Sequence, residues 1–131
     1  MSLIGALYPS VTALGAFGVG TQVIAHNLAN VATDRFKASR TLYQDLPPYS
    51  GVGAVTQKLD KPPGALRPAQ GLPESRGTDG RGVIHGFLET SNTDVALEMI
   101  GLILTSRAYQ ANTKPIQATD EMLGTIINIK V

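Results

Sequence analysis

The apolar residues of this chain concentrate at its two ends, where they recur at helical spacing. In residues 91–131, every third or fourth position defines one mostly apolar face of a long helix. The residues of this stripe are Val95, Met99, Leu102, Ser106, Tyr109, Thr113, Ile116, Asp120, Leu123 and Ile127. The stripe requires a partner, because packing of an amphipathic face supplies most of the stability of a helix.

A matching stripe runs through the first part of the chain. Alternating steps of four and three residues connect Leu3, Leu7, Ser10, Leu14, Phe17, Thr21, Ile24, Leu28 and Val31. This is the seam spacing of a coiled coil. Pro9 has no amide hydrogen and crowds the preceding turn, so we expect the continuous helix to begin near Ser10. The pattern predicts a mainly α fold, with N- and C-terminal helices paired as an elongated, coiled-coil-like hairpin.

Three glycines lie inside the predicted first helix, at Gly15, Gly18 and Gly20. Each disfavours an isolated helix by up to about 1 kcal/mol relative to alanine. A glycine also lets a neighbouring helix approach closely. We therefore expect a helix that is weak alone and packs tightly in a multi-helix assembly.

The middle of the chain has a different composition. Prolines and glycines exclude a long helix between about residues 46 and 86. Val52 to Leu59 and Gly82 to Leu88 are predicted strands, which would form a β-hairpin or an extended arm. Lys61 to Arg81 has few large apolar residues and is expected to be mobile in the free protein. The chain thus divides into an N-terminal helix (1–33), a Pro/Gly-rich arm (34–90) and a C-terminal helix (91–131).

Local signals mark the start of the last helix and a defect inside it. Ser91 and Asp94 have the spacing of a capping box, in which the serine hydroxyl accepts from an amide of the first turn. Pro115 removes one backbone hydrogen bond and crowds the carbonyl of Ala111. We expect a kink near Ala111 to Lys114 rather than an end, because the apolar stripe resumes in phase at Ile116.

Composition narrows the function classes. The 131 residues carry a formal net charge of +1 and no cysteine, so a nucleic-acid footprint, disulfides and thiolate metal sites are not expected. The two histidines lie far apart, which disfavours a histidine metal centre. Residues 1–33 contain no Asp, Glu, Lys or Arg. They lack the positive start of a secretory signal, and Gln22, His26, Asn27 and Asn30 interrupt any membrane span.

No set of residues has the pattern of a catalytic site. Asp120 and Glu121 are adjacent, but neighbours on a helix point about 100° apart and do not share a proton. His26 has no sequence-local partner of the kind that a catalytic triad requires. We expect no catalytic residue, no cofactor, no metal and no small-molecule substrate.

The end of the first helix carries a more informative motif, NLANVATDRFK, at residues 27–37. Asn27 and Asn30 are three residues apart on one helix face, where their amides could bond backbone carbonyls or a neighbouring subunit. An ordinary helix C-cap, with asparagine in the left-handed conformation, is the alternative.

The sequence NLANVATDRFKASR resembles the signature of the flagellar basal-body rod and hook proteins. Residues 86–129, GFLETSNTDVALEMIGLILTSRAYQANTKPIQATDEMLGTIINI, resemble the C-terminal domain of the same family. The two matches stand in the expected order. The sequences at both ends of the chain are most similar to the distal-rod type, whereas the length of the chain suits the short proximal-rod type. A natural short variant or a chain with its middle removed is a third alternative.

Four residues depart from the pattern of that family. Ala32 replaces Asn or Asp, and Arg35 replaces Gly, so we expect the helix to continue further than usual after Thr33. Leu97 stands at an often acidic position, and Pro115 at a usually apolar one.

The resemblance implies a structural subunit of the bacterial flagellar rod. It would leave the cell through the flagellar type III export apparatus without signal cleavage. It would assemble with itself and with other rod proteins into a torque-transmitting tube that spans the periplasm. The Pro/Gly-rich arm would contact neighbouring subunits or surrounding rings. The expected assembly residues are Leu14, Phe17, Ile24, Asn27, Leu28, Asn30, Val31, Glu98, Met99, Leu102, Arg107, Tyr109, Asn112, Ile116, Leu123 and Ile127. Among these, Glu98, Arg107, Tyr109 and Asn112 would fix the register. The competing interpretation is a coiled-coil interaction module unrelated to flagella.

Overall fold

The computed structural model describes residues 3–47, 51–60, 63–68 and 87–129. They form two long helices and two small antiparallel sheets, so the predicted mainly helical fold with paired helices is confirmed. The elements are α1 (Leu3–Ala29), β1 (Ser39–Leu46), β2 (Gly51–Lys58), β3 (Leu66–Pro68), β4 (Phe87–Glu89) and α2 (Val95–Asn128). The predicted mobile segment, Lys61 to Arg81, lies largely outside the described residues.

Helix α1 begins at Leu3, so the expected start near Ser10 is wrong. Pro9 lies inside the helix, where its ring removes only one backbone hydrogen bond. The Thr12 hydroxyl donates to the carbonyl oxygens of Tyr8 and Pro9, at 3.1 and 2.9 Å. It also accepts from the amide of Val52 at 3.1 Å. The turn around Pro9 is thereby tied to its own carbonyls and to β2.

Helices α1 and α2 pack antiparallel to each other. The side chains of Asn27 and Glu98 are hydrogen-bonded, and Gly20 lies beside Thr105 further along the pair. The fully buried positions of α1 are small or polar, while the larger Ile24 side chain lies next to Gly101 of α2. The buried residues on α1 are Ser10, Ala13, Ala16, Gly20 and Asn27. Because these side chains are short, the helix backbones can approach closely.

Helix α2 begins at Val95, and its N-cap is Asp94. The Asp94 carboxylate accepts from the amides of Ala96 and Leu97, at 2.9 and 3.4 Å. The capping box with Ser91 as its first residue is therefore wrong. Ser91 instead bonds Thr93 outside the helix, through hydroxyl–hydroxyl and hydroxyl–amide contacts of 2.9 and 3.1 Å. A carboxylate at the cap also complements the helix dipole.

The buried face of α2 is not the apolar stripe that the sequence indicates. Its buried residues are Thr105 and Thr119, two heptads apart, and Glu98 and Asn112, which continue that spacing, are half-buried. The stripe residues Val95, Met99, Ser106, Tyr109, Asp120, Leu123 and Ile127 are exposed. In this orientation Glu98 reaches the Asn27 amide and Thr105 lies beside Gly20, while the stripe residues Leu102, Thr113 and Ile116 are half-buried. Helix α2 does continue through Pro115, as expected, and the kink there stays a prediction.

Strands β1 and β2 pair antiparallel along their whole length, from Ser39 opposite Lys58 to Leu46 opposite Gly51. The predicted strand Val52 to Leu59 is thus present, and its partner is Ser39–Leu46. Of the other predicted strand, Gly82 to Leu88, only the last two residues are described, and the rest lies outside the described residues. Residues 87–89 pair with Leu66–Pro68. Successive residues of a strand point to opposite faces, so β1 has one side toward α1 and one side away from it. The β1–β2 sheet packs on α1 and is not a free arm.

The loop after α1 turns at Arg35, which has a positive φ of 60°. The expectation of a longer helix there is wrong, since α1 ends at Ala29. The Arg35 amide donates to the carbonyl of Glu89 at 2.8 Å, which ties the turn to β4. This conformation suits glycine, the residue that the resembled signature has here, and it costs an arginine about 1–2 kcal/mol. The left-handed asparagine considered above is not found at Asn30.

Substitution at Arg35 tests whether this turn is strained. Arg35→Gly and Arg35→Asn should unfold at higher urea concentration than Arg35→Ala, with glycine higher by about 1 kcal/mol, because glycine tolerates a positive φ. Arg35→Val should be the least stable, since a branched Cβ fits this region worst. All four variants lose the same charge, so their order isolates the backbone effect. Equal stability of the glycine and alanine variants would contradict the assignment of strain.

Candidate assembly interface

Asn27 joins three elements and has a side chain that is 0% exposed. Its Nδ2 donates to the carbonyl of Ser39 at 2.7 Å and to Glu98 Oε1 at 2.8 Å. Its Oδ1 accepts from the amide of Ser39 at 2.9 Å. A buried polar group without partners costs about 1–3 kcal/mol, so these bonds strongly favour one arrangement of α1, β1 and α2.

Asn92 closes the base of the β1–β2 sheet in a similar way. Its Oδ1 accepts from the amide of Ala38 at 2.7 Å, and its Nδ2 donates to the carbonyl of Leu59 at 2.9 Å. The Asn92 amide also donates to the carbonyl of Phe36 at 3.3 Å. Asn92 was not among the expected assembly residues. Its position two residues before the helix cap marks a loop, and nothing in the sequence indicates which strands it joins.

A close contact between α1 and β1 depends on Gly20. A Cβ at this position would clash with the Tyr43 hydroxyl group and would lie 3.6 Å from the Thr105 methyl carbon. The Tyr43 ring packs against Phe17, with ring centroids 5.2 Å apart. The close approach expected at the glycines of α1 is therefore present at Gly20, made by a strand as well as a helix. An added Cβ at Gly15 or Gly18 meets no described atom within 4 Å.

Ion pairs hold the β3–β4 sheet against the loop after α1. Both carboxylate oxygens of Asp34 accept from Nη2 of the Arg67 guanidinium, each at 2.8 Å. The Glu89 carboxylate accepts from Lys37 Nζ and from the amide of Gly64, the latter at 2.8 Å. The hydrogen bond from Lys37, and next that from Gly64, lower the pKa of Glu89 below its ordinary value of 4.5. No sequence pattern indicates these pairs, because their partners are 33 and 52 residues apart.

The structure divides the sixteen expected assembly residues into internal and outward-facing ones. Asn27 is buried, whereas Leu14, Phe17, Ile24, Leu28, Asn30, Glu98, Leu102, Asn112 and Ile116 are half-buried. Val31, Met99, Arg107, Tyr109, Leu123 and Ile127 are exposed. Asn27 and Glu98 meet each other, while Asn30 and Asn112 bond carbonyls of their own helix at 2.9 Å. Of the four expected register residues, Arg107 and Tyr109 are thus the two on the outer surface.

A large apolar surface on α2 is exposed. Its N-terminal half presents Leu97, Met99, Ile100, Ile103 and Leu104, and its C-terminal end presents Met122, Leu123, Ile126, Ile127 and Ile129. Every residue from 120 to 129 is exposed. Contiguous apolar patches of this kind mark surfaces that contact other molecules.

An open groove runs between α2 and β1, with α1 as its floor. Within the described part of the chain, no Cα atom of α2 comes within 8 Å of β1 or β2, and the space between them has a volume of about 470 Å³. We call it the α2–β1 groove. Its floor contains Gly20, Val23 and Ile24, and its walls include Arg40, Thr41, Tyr43, Leu97, Gly101 and Leu104. The Thr41 hydroxyl oxygen is buried and has no hydrogen-bond partner.

Metal ligands and membrane-spanning segments are the other features that could define a site. Among the described residues, no three or more His, Asp or Glu side chains are grouped as a metal ion requires. Neither helix is apolar enough over a sufficient length to cross a membrane, again for the residues described.

A comparison with known proteins finds a family match in the part of the chain that contains α2. Residues 84–129 match the family described as flagellar basal body rod FlgEFG protein C-terminal. The match contains all of α2, including its exposed apolar surface and the Asp94 cap.

Individual relatives come from rods and hooks. The flagellar basal-body rod protein FlgG of Borreliella burgdorferi is 39% identical over 83 residues, which cover 62% of this chain and 30% of that protein. The FlgG of Buchnera aphidicola from Acyrthosiphon pisum is 48% identical over 48 residues, 36% of this chain and 18% of that protein. The flagellar hook protein FlgE of Rhizobium meliloti is 36% identical over 97 residues, 64% of this chain and 23% of that protein.

These matches confirm the resemblance to the flagellar rod and hook family that the sequence motifs indicate. The chain spans less than a third of the length of each of these relatives. Their similarity therefore supports the class of protein, while the position and partners of this chain are matters of proposal.

Asn27 and Glu98 offer a direct test of the junction between the helices. Asn27→Asp should cost about 2–3 kcal/mol of unfolding free energy, because it places a carboxylate beside Glu98 and loses both donated bonds. Glu98→Gln alone should cost little, since its oxygen still accepts. When both substitutions are combined, the new carboxamide on α2 can donate to the new carboxylate on α1, and about 1 kcal/mol should return.

Urea unfolding followed by circular dichroism measures these differences. Asn112→Asp is the matched control, because Asn112 bonds a carbonyl of its own helix and Glu98→Gln should not rescue it. Purely additive effects of the Asn27 and Glu98 substitutions would show that the two side chains do not interact.

Proposed function

We propose that this protein is a structural subunit of the bacterial flagellar rod, which assembles with itself and with other axial proteins into a helical tube. One observation carries the proposal. The helix that matches the rod and hook family presents a long apolar surface that the rest of the described chain leaves uncovered. A subunit of a tube has such a surface because its neighbours cover it.

The helix pair would form the inner part of the tube wall. Glu98, Thr105, Asn112 and Thr119 follow a seven-residue spacing along the α1 side of α2, which supports coiled-coil-like packing of the two helices. Their polar and small side chains set the register, while burial of the outer apolar residues between subunits contributes about 25 cal/mol per Å². Contacts that repeat without closing produce a filament instead of a ring.

Arg107 and Tyr109 are our candidates for contacts that fix the register between subunits. Both are exposed on α2, and an arginine fork makes directional bonds that aliphatic side chains cannot make. Glu98 and Asn112, which the sequence also suggests for this role, bond within the chain. We therefore assign those two to internal register.

The role is mechanical, transmitting torque, and requires neither catalysis nor a cofactor. Export through the flagellar type III apparatus, a location in the periplasm-spanning rod and contacts with surrounding rings are further parts of the proposal. The rod and hook proteins described above do not favour the alternative, a coiled-coil module unrelated to flagella. They also leave the proximal and distal rod subtypes both open.

A charge on the outer face of α2 tests this proposal in the bacterium that carries the chain. Ile103 is 60% exposed, so Ile103→Lys should leave the fold intact while placing an ammonium group in the subunit contact. We expect motility to be lost and the chain to be absent from purified basal bodies, at normal cellular levels.

Gln57→Lys is the matched control, because it adds the same charge at an exposed polar position on β2, away from the outer face of α2, and it should retain motility. Full motility and normal rods with Ile103→Lys would contradict the proposed subunit role.

A further inference from the structure

We propose that the Glu89 carboxylate is an ionic latch for the β3–β4 sheet. While the carboxylate is charged, it holds the sheet against the loop after α1, residues 30–38. When it is protonated, the sheet is released as a unit. The inference goes beyond the proposed function, because it concerns how the chain fixes one of its own parts, with or without assembly.

The β3–β4 sheet lies apart from the packed elements of the molecule. Within the described residues, no Cα atom of β3 or β4 comes within 8 Å of either helix or of the β1–β2 sheet. Leu66 is 70% and Phe87 50% exposed, and Leu88 is half-buried. Apolar burial, which stabilises most contacts between elements, therefore contributes little to the attachment of this sheet. Polar contacts with the loop after α1 hold it in place.

One oxygen atom of Glu89 joins three stretches of the chain. Glu89 Oε1 accepts from Lys37 Nζ in the loop after α1, and from the Gly64 amide just before β3 at 2.8 Å. Glu89 itself is the last residue of β4. The Lys37 and Glu89 side chains are each 26% exposed. A charge-assisted hydrogen bond that is partly shielded from water is stronger than an ion pair on the open surface.

Backbone contacts keep β3 and β4 together beside this carboxylate. The Thr90 amide and hydroxyl both donate to the Ala65 carbonyl, at 2.8 and 3.0 Å. The two backbones approach so closely that a Cβ at Gly64 would overlap the Thr90 carbonyl group. Because the Thr90 contacts do not involve the Glu89 carboxylate, the sheet stays intact when the latch opens.

The other contacts between the sheet and the loop are weaker. Asp34 and Arg67 form an ion pair whose side chains are 34% and 55% exposed, and exposed pairs contribute little. The Arg35 amide donates to the Glu89 carbonyl at 2.8 Å, from a residue with a disfavoured positive φ. Asn92 anchors the chain beyond the sheet through its bonds at the base of the β1–β2 sheet. Loss of the carboxylate charge thus frees the sheet to pivot about the Asn92 anchor.

The groups around Glu89 favour its ionised form. The hydrogen bond from Lys37, and next that from Gly64, lower the pKa of Glu89 below its ordinary value of 4.5, and the positive charges of Lys37 and Arg35 act in the same direction. Because the pKa is lower in the folded chain, the contacts of the carboxylate stabilise fully above about pH 4.5 and are lost as the pH falls through the lowered pKa. Acid therefore opens the latch, and neutral pH keeps it closed.

Backbone dynamics of the full-length chain test the latch at neutral pH. Glu89→Gln keeps an oxygen that can accept from the Gly64 amide, and it removes the charge that holds Lys37. In heteronuclear relaxation measurements, the order parameters of the Leu66 and Leu88 amides should fall from about 0.85, the value of a rigid backbone, to below about 0.6. Unchanged order parameters in Glu89→Gln would overturn the proposal.

Glu121→Gln is the matched control, because it makes the same change at an exposed position near the end of α2. It should leave the order parameters of the sheet as they are in the natural chain. The amide resonances of α1 should change in neither variant, since the sheet does not pack on α1. A loss of order as large in Glu121→Gln as in Glu89→Gln, or one that spreads along α1, would contradict a local latch.

A pH titration of the same resonances gives a second measurement. The Gly64 amide resonance should move with the titration of the Glu89 carboxyl group, and Lys37→Gln should raise the midpoint, because it removes the main cause of the lowered pKa. His26 packs on Phe36 of the same loop, with ring centroids 5.4 Å apart, and His26→Gln should leave the midpoint unchanged. A Gly64 resonance that does not follow the Glu89 titration, or a midpoint that Lys37→Gln does not raise, would refute the latch.

Discussion

The arrangement of this molecule depends on one buried side-chain amide. Asn27 holds the first residue of β1 through both the amide and the carbonyl of Ser39, and it holds α2 through Glu98. A sliding of either element by one residue would leave these groups unpaired in a buried position, which is unfavourable by about 1–3 kcal/mol for each group. The amide thus sets the register between α1, α2 and the β1–β2 sheet with a single side chain.

A junction specified by polar groups has a consequence for the apolar residues. The fully buried positions of the two helices are alanine, serine, glycine, threonine and asparagine, and Gly20 lets Tyr43 and Thr105 approach α1 closely. Most large aliphatic residues of α2 lie outside, from Leu97 near its start to Ile127 near its end, while Leu102 and Ile116 are half-buried. Polar contacts determine the register within the chain, and many of the large apolar side chains of α2 remain exposed. This division suits the proposed assembly, in which neighbouring copies would cover those side chains.

The sequence was sufficient to predict some elements and not others, for physical reasons. Apolar periodicity located both helices and their pairing, and the strand after Val52 followed from its composition. The rotation of α2 could not be predicted, because an apolar stripe indicates that a face will be covered but not by which molecule. The partner of the Val52 strand could not be predicted either, since the composition of a strand does not indicate which other strand it pairs with. Asn92, which bonds residues 33 and 54 positions away beside the ends of β1 and β2, has no sequence signal of that role. The positive φ of Arg35 could not be predicted, because arginine rarely adopts this conformation.

The most direct test of the central claim is a density map of basal bodies isolated from the bacterium that carries this chain, at a resolution that shows side chains. We expect the chain in the rod wall, with the Asn27 junction as described and the Leu97 to Leu104 face of α2 covered by neighbouring subunits. A rod without this chain, or a subunit whose α2 apolar face is open to solvent, would contradict that expectation.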